Sequence, residues 1–122
     1  MAEVFELEFP PDTPFPAHSH RTYDEGIYIA AGELTVTLAG QALPLRAGGF
    51  AFAPRGTVHG FENRGATAAT AVIWQTPPYG VEQMLEALRQ LPPGPPDPAR
   101  LGPILAQFDI HPAGPPPDAA GT

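Results

Sequence analysis

Apolar and polar positions alternate through the middle of the chain. Leu34, Val36 and Leu38 are interleaved with Glu33, Thr35 and Thr37, a period of two that turns one set inward and the other outward on a strand. Ala31-Gly32 before this run and Ala39-Gly40-Gln41 after it are turn signals. Val4–Phe9, Gly26–Ile29, Leu43–Arg46, Phe50–Phe52, Val58–Phe61 and Ala69–Gln75 supply further short strands. Short strands this closely spaced and closed by glycine turns predict an antiparallel sandwich or barrel.

The period changes after Pro77-Pro78. Val81, Met84, Leu85 and Leu88 repeat at the spacing of one helical face, with Glu82 in the first turn and Pro92 beyond the end. Pro98, with Asp97 as cap, opens a second short helix, and Pro103 predicts a break near Gly102. Packing on the sheet is the simplest use of these apolar stripes, and a lid over a pocket or a dimer contact is the sharper one. Proline also divides the chain: twelve of its 18 prolines fall from Pro77 onward. The expected organisation is a folded body over residues 1–91 and a Pro-rich extension with a short helix over 92–122, loosely held from Pro112 to Thr122.

Composition removes several classes of function. Six Arg, no Lys and 13 acidic residues leave a net charge of -7, which gives nucleic acid or an anionic membrane nothing to hold. There is no Cys for a disulfide, a thiolate nucleophile or a thiolate metal site, and no Lys for a Schiff base. Met1 to Glu6 lacks the basic-then-apolar order of a secretory signal, and no apolar run approaches a spanning length. A soluble cytoplasmic domain is the expectation.

Histidine carries the candidate chemistry. His18 and His20 are two residues apart, so on an extended strand both imidazoles face one side. Glu25 follows, and His59 stands in a later strand. Three imidazoles and a carboxylate suit Fe, Mn, Co, Ni, Cu or Zn, and on an octahedral ion they leave two positions open. An isolated His-x-His pair is equally well an ordinary polar loop end. Asp24 is a second carboxylate at this place, and His111 reads as a surface residue.

The wider spacing decides between these readings. His18-Ser19-His20, four residues, Glu25, six residues and Gly32 are followed by Gly48, five residues, Pro54, Gly56, His59 and Asn63. The sequence resembles the cupin superfamily, whose motifs are G(X)5HXH(X)3,4E(X)6G and G(X)5PXG(X)2H(X)3N. The second motif matches in full; in the first, Asp12 stands where the leading Gly would be. The resemblance implies an all-β antiparallel jelly-roll barrel (a double-stranded β-helix) with one or two short C-terminal helices. It also implies one divalent transition metal per chain, held by His18, His20, Glu25 and His59, with Asn63 as a turn former.

Such folds host many activities. The sequence looks similar to small quercetinase-like monocupins, which implies a metal-dependent dioxygenase acting on a small aromatic or enolisable molecule. Glu25 would then accept a substrate proton as well as ligate. Phe15, Tyr23, Tyr28, Phe50, Phe52, Phe61 and Trp74 are aromatic candidates for a pocket wall or for the core, with Tyr28, Phe52, Phe61 and Trp74 taken as substrate-binding. The competing readings are a metal-loaded module that binds a small ligand without turnover, and a sugar isomerase or epimerase. The last needs cationic clamps, for which Arg55 stands closest to a ligand. Family resemblance also implies a homodimer, with Val4–Phe9 as an arm that pairs with the partner's sheet or within its own chain.

Overall fold

A computed structural model describes residues 1–113. Two antiparallel sheets face each other. The first has the order β1–β8–β3–β6, from β1 (Glu3–Phe9), β3 (Asp24–Ala31), β6 (Phe50–Ala53) and β8 (Ala69–Thr76). The second has the order β5–β4–β7–β2–β9, from β2 (Thr13–Ser19), β4 (Glu33–Leu38), β5 (Gln41–Arg46), β7 (His59–Asn63) and β9 (His111–Pro112). This is the expected jelly roll. Phe9, Ile27, Ile29, Leu34, Val36, Phe61, Ala71 and Ile73 form the core between the sheets.

Alternation sets what faces inward. In β8, Ala69, Ala71, Ile73 and Gln75 are buried while Thr70, Val72, Trp74 and Thr76 are not. In β3, Glu25, Ile27 and Ile29 point in and Tyr28 points out. Gly32 adopts φ +78, and a Cβ there would lie 2.7 Å from the Ala68 carbonyl oxygen, so this turn requires glycine. Asp12, in the motif's leading glycine position, itself takes φ 53. Asp is among the few residues that tolerate this region.

Three elements depart from the sequence pattern. β2 is a strand despite Pro14 and Pro16; among the described residues β9 pairs with it only at His18 and Ser19. The second helix, α2 (Pro98–Gln107), runs unbroken through Gly102 and Pro103, contrary to the expected break. Pro103 cancels only the bond to the Ala99 carbonyl, in an exposed first turn where solvent can replace it. His111 is half-buried in β9 rather than on the surface. β1 pairs with β8 of its own chain along its whole length. The expected loose tail falls mostly on residues 114–122, outside the described residues; before them, the Ala113 amide donates to the Ala17 carbonyl at 3.0 Å.

The first helix, α1 (Val81–Arg89), is capped from a distance. The Glu3 carboxylate accepts from the amides of Tyr79, Gly80 and Val81 at 2.9, 3.1 and 3.3 Å. A carboxylate there satisfies otherwise orphaned donors and complements the helix dipole. Among the described residues no helix is long and apolar enough to cross a membrane.

Candidate metal centre

Strand register brings the four candidate ligands together. His18 and His59 are direct cross-strand partners in β2 and β7, and His20 follows at the end of β2. Glu25 enters from β3 of the opposite sheet, where its cross-strand partner is Gln75. The donor atoms of His18, His20, Glu25 and His59 all lie within 4.8 Å of one another, and all four residues are buried. The three imidazole centroids form a triangle of 4.5–4.9 Å.

Hydrogen bonds fix the direction of every ring. The Nδ1 atoms of His18, His20 and His59 meet the carbonyls of Pro16, Asp109 and Thr57 at 2.8, 3.0 and 2.9 Å. A ring that donates from Nδ1 presents a lone pair at Nε2, the arrangement metal-ligating histidines use. His20 Nε2, His59 Nε2 and Glu25 Oε2 are buried without any hydrogen-bond partner. The last two lie 3.0 Å apart. Two buried acceptors at that distance need a cation or a proton between them. The donor set therefore fits a borderline first-row divalent ion.

Electrostatics agree with this donor set. Burial, reinforced by the neighbouring imidazoles, pushes the His18 pKa down to about 4. Burial likewise lowers His20. For Glu25 burial acts upward, but the facing His59 and His20 imidazoles and the hydrogen bond from Gln75 outweigh it and hold the carboxyl low. His59 runs the other way: burial lowers it, and Glu25 raises it further. The Gln75 amide donates to Glu25 Oε1 at 2.6 Å, leaving Oε2 turned toward the imidazoles.

A cavity of about 40 Å³ lies against the cluster, walled by Phe5, Phe15, Phe61, Ile73, Tyr79 and Met84 among others. Of the aromatic residues expected at a substrate, only Phe61 is there, packed edge-on to His59 at 6.1 Å. Tyr28, Phe52 and Trp74 are not brought to the cluster. They share the outer face of the first sheet, where Tyr28 and Phe52 are both 43% exposed. Trp74 lies over Gly26 and stacks on Phe50 at 5.2 Å. Asp24 also turns outward, into a bidentate pair with Arg55 that lowers its pKa through those hydrogen bonds. Asn63 is fully buried and donates to the carbonyls of Phe9 and Thr67, which fits a turn former.

Two residues at the site escaped the sequence reading. Gln75 had a signal, since it lies two residues beyond inward-facing Ile73 and is the polar member of that register. Asp109 had none. It is 89 residues from His20, takes φ 59, and carries the carbonyl that orients the His20 ring. Its carboxylate accepts from the Arg21 and Thr22 amides and the Thr22 hydroxyl, and meets His111 Nε2 at 2.6 Å. Burial raises this carboxyl, but the Thr22 and His111 bonds dominate and hold it at about 2.

Comparison with known proteins places this geometry. No curated protein matches the sequence. Among solved structures, a protein of Thermus thermophilus is similar at 27% identity and TM-score 0.58, covering 61% of this chain and 70% of its own. A predicted oxalate decarboxylase of Thermotoga maritima is 28% identical with TM-score 0.57, and 59% of this chain matches 63% of it. A sugar phosphate isomerase of Silicibacter pomeroyi is 25% identical with TM-score 0.59, and 64% of this chain matches 52% of it. The chain thus spans less than two thirds of the last two proteins. The sequence matches the family described as Cupin domain over residues 5–75, which includes all four cluster residues. With more than half of its length inside that match and a two-sheet fold around the cluster, the chain belongs to the cupin family.

Proposed function

We propose that this cupin is a metal-dependent dioxygenase acting on a small aromatic or enolisable molecule. One observation carries the metal: three imidazoles are tied by Nδ1 to backbone carbonyls, so their Nε2 atoms converge with Glu25 Oε2. His18, His20, Glu25 and His59 would hold one divalent transition ion, whose bound chemistry would be to bring an enolate or catecholate and O2 into adjacent positions.

The chain's own residues supply the rest. Phe15, Phe61, Ile73 and Met84 wall the cavity beside the cluster with apolar surface and exclude water from it. Glu25 is the one carboxylate among the described residues lining the cavity, and it would accept the substrate's hydroxyl proton as well as ligate, while Gln75 donates to Oε1. The apolar wall separates this reading from a sugar-phosphate enzyme. No Arg lines the cavity among the described residues, and Arg55 is committed to Asp24.

The test is elemental analysis of protein purified without a His tag or chelator, beside a His59→Ala variant. About one equivalent of metal in the wild type and none in the variant is expected. Oxygen uptake is then followed with flavonols, catechols and diketones on iron-, manganese-, nickel- and copper-loaded protein. Metal without uptake on any of them overturns the dioxygenase and leaves a ligand-binding barrel. A wild type that takes up no metal overturns both.

A further inference from the structure

The apolar stripes of α1 and α2 do not close on the sheet. Val81 is the only buried residue of α1, and α2 has none. Met84, Leu88, Leu101 and Leu105 are each half-buried, and between them and β2 lies a second space of about 330 Å³. Its lining presents no polar surface at all, although His18 forms part of the wall. Two amphipathic helices that fold over a barrel and leave their apolar faces unpacked forgo burial they could otherwise have.

The space adjoins the metal centre across shared side chains. Phe15, His18, Met84 and Ile110 line both the large chamber and the small cavity against the cluster. The chamber's size is near the lower end of small-molecule sites. Its walls come from Phe15 to His18 and from Met84 onward, so apart from the β2 residues they lie outside the family match over 5–75.

We propose that this chamber is a binding site for the apolar body of the substrate, whose vicinal oxygens extend past His18 to the metal; this rests on the metal-dependent reading above. The ligand class is a compact alkyl- or aryl-substituted catechol or α-hydroxyketone. An anionic group on that body is excluded, because the described lining offers it no cation or hydrogen-bond donor other than His18. The helices are therefore the specificity element, and the barrel is the chelating one.

The experiment compares catechol with 4-tert-butylcatechol on cobalt-loaded full-length protein, using the visible cobalt spectrum to read binding. The four added carbons should tighten binding about tenfold or more. Leu105→Asp charges the wall and Leu101→Trp fills it, and both should abolish that preference while the bound cobalt stays at the wild-type level. Circular dichroism checks that each variant is folded. Equal affinity of the two catechols in the wild type, or a preference surviving both variants, overturns the chamber with the metal site intact. If the wild type takes up no metal, the dioxygenase reading falls, and the chamber is read with 4-tert-butylphenol on metal-free protein. Only two methionines exist, so the Met84 methyl resonance is easily assigned. Its saturable shift supports the chamber, and no shift overturns it.

Discussion

Replacing Asp109 tests how far the C-terminal segment holds the metal centre. Asp109→Ala removes the acceptor for the Arg21 and Thr22 amides at 2.9 and 2.8 Å, for the Thr22 hydroxyl at 2.7 Å, and for His111 at 2.6 Å. Partly exposed bonds of this kind contribute on the order of 0.5–1 kcal/mol each, about 3 kcal/mol together. Alanine must also hold φ 59, a further cost of ~1 kcal/mol. For a chain of this size the sum lowers Tm by roughly 10–15 °C. Because the Asp109 carbonyl orients His20, metal affinity should fall about tenfold in the same variant. Asp109→Asn tolerates the same backbone and keeps one acceptor oxygen, so it should recover about half of the Tm loss. The pH dependence has a definite sign. The folded carboxyl is depressed from 3.8 to about 2, so the stability it adds is present above pH 4 and lost as pH falls toward 2. The size is at most ~2 kcal/mol, since the side chain is 20% exposed. The wild-type advantage over Asp109→Asn should narrow across that window in a calorimetric series. A Tm within 2 °C of wild type for Asp109→Ala, with unchanged metal affinity, refutes the clamp.

Other expectations follow from single contacts. Gln75→Leu deprives buried Glu25 Oε1 of its donor and should weaken metal binding about 10–100-fold in a competition titration. Glu3→Ala uncaps α1 and should cost about 1 kcal/mol in denaturant unfolding, with Glu3→Gln in between. Gly26→Ala places a methyl into the Trp74 ring, so Trp74 must leave Phe50; a changed Trp fluorescence spectrum and ~2 kcal/mol lower stability are expected. An unchanged emission maximum would count against that packing.

Strand alternation explains both the success and the error of the sequence reading. His18 and His20 share a side at a spacing of two, and the motif distances carried Glu25 and His59 to them. The same rule excludes Tyr28, three residues from inward-facing Glu25, and Trp74, one residue from inward-facing Gln75. Aromatic character suggested a pocket wall where register places the outer sheet face. β2 carries two prolines whose cost depends on which strand lies beside them, and no local signal shows that neighbour. Pro103 shows the same limit, since its penalty depends on whether the lost bond is exposed.

The division of labour between barrel and extension follows from where partners lie in the chain. His18 and His59 take their Nδ1 partners from carbonyls two residues away, so the motif segments orient those rings by themselves. His20 does not: its partner is Asp109, in the turn between α2 and β9. That turn is held by a carboxylate which also pins the backbone at Arg21 and Thr22, immediately after the ligand. Tyr23, next in sequence, is buried between the His20 ring and Tyr79, and its hydroxyl donates to the Phe108 carbonyl. The segment that orients one ligand is thus continuous with the helix that walls the apolar chamber. Phe108, Asp109 and Tyr23 link the end of α2 to the His20 ring. The end of α2 and the His20 ring are thus joined by the three residues, Phe108 to Ile110, that separate α2 from β9.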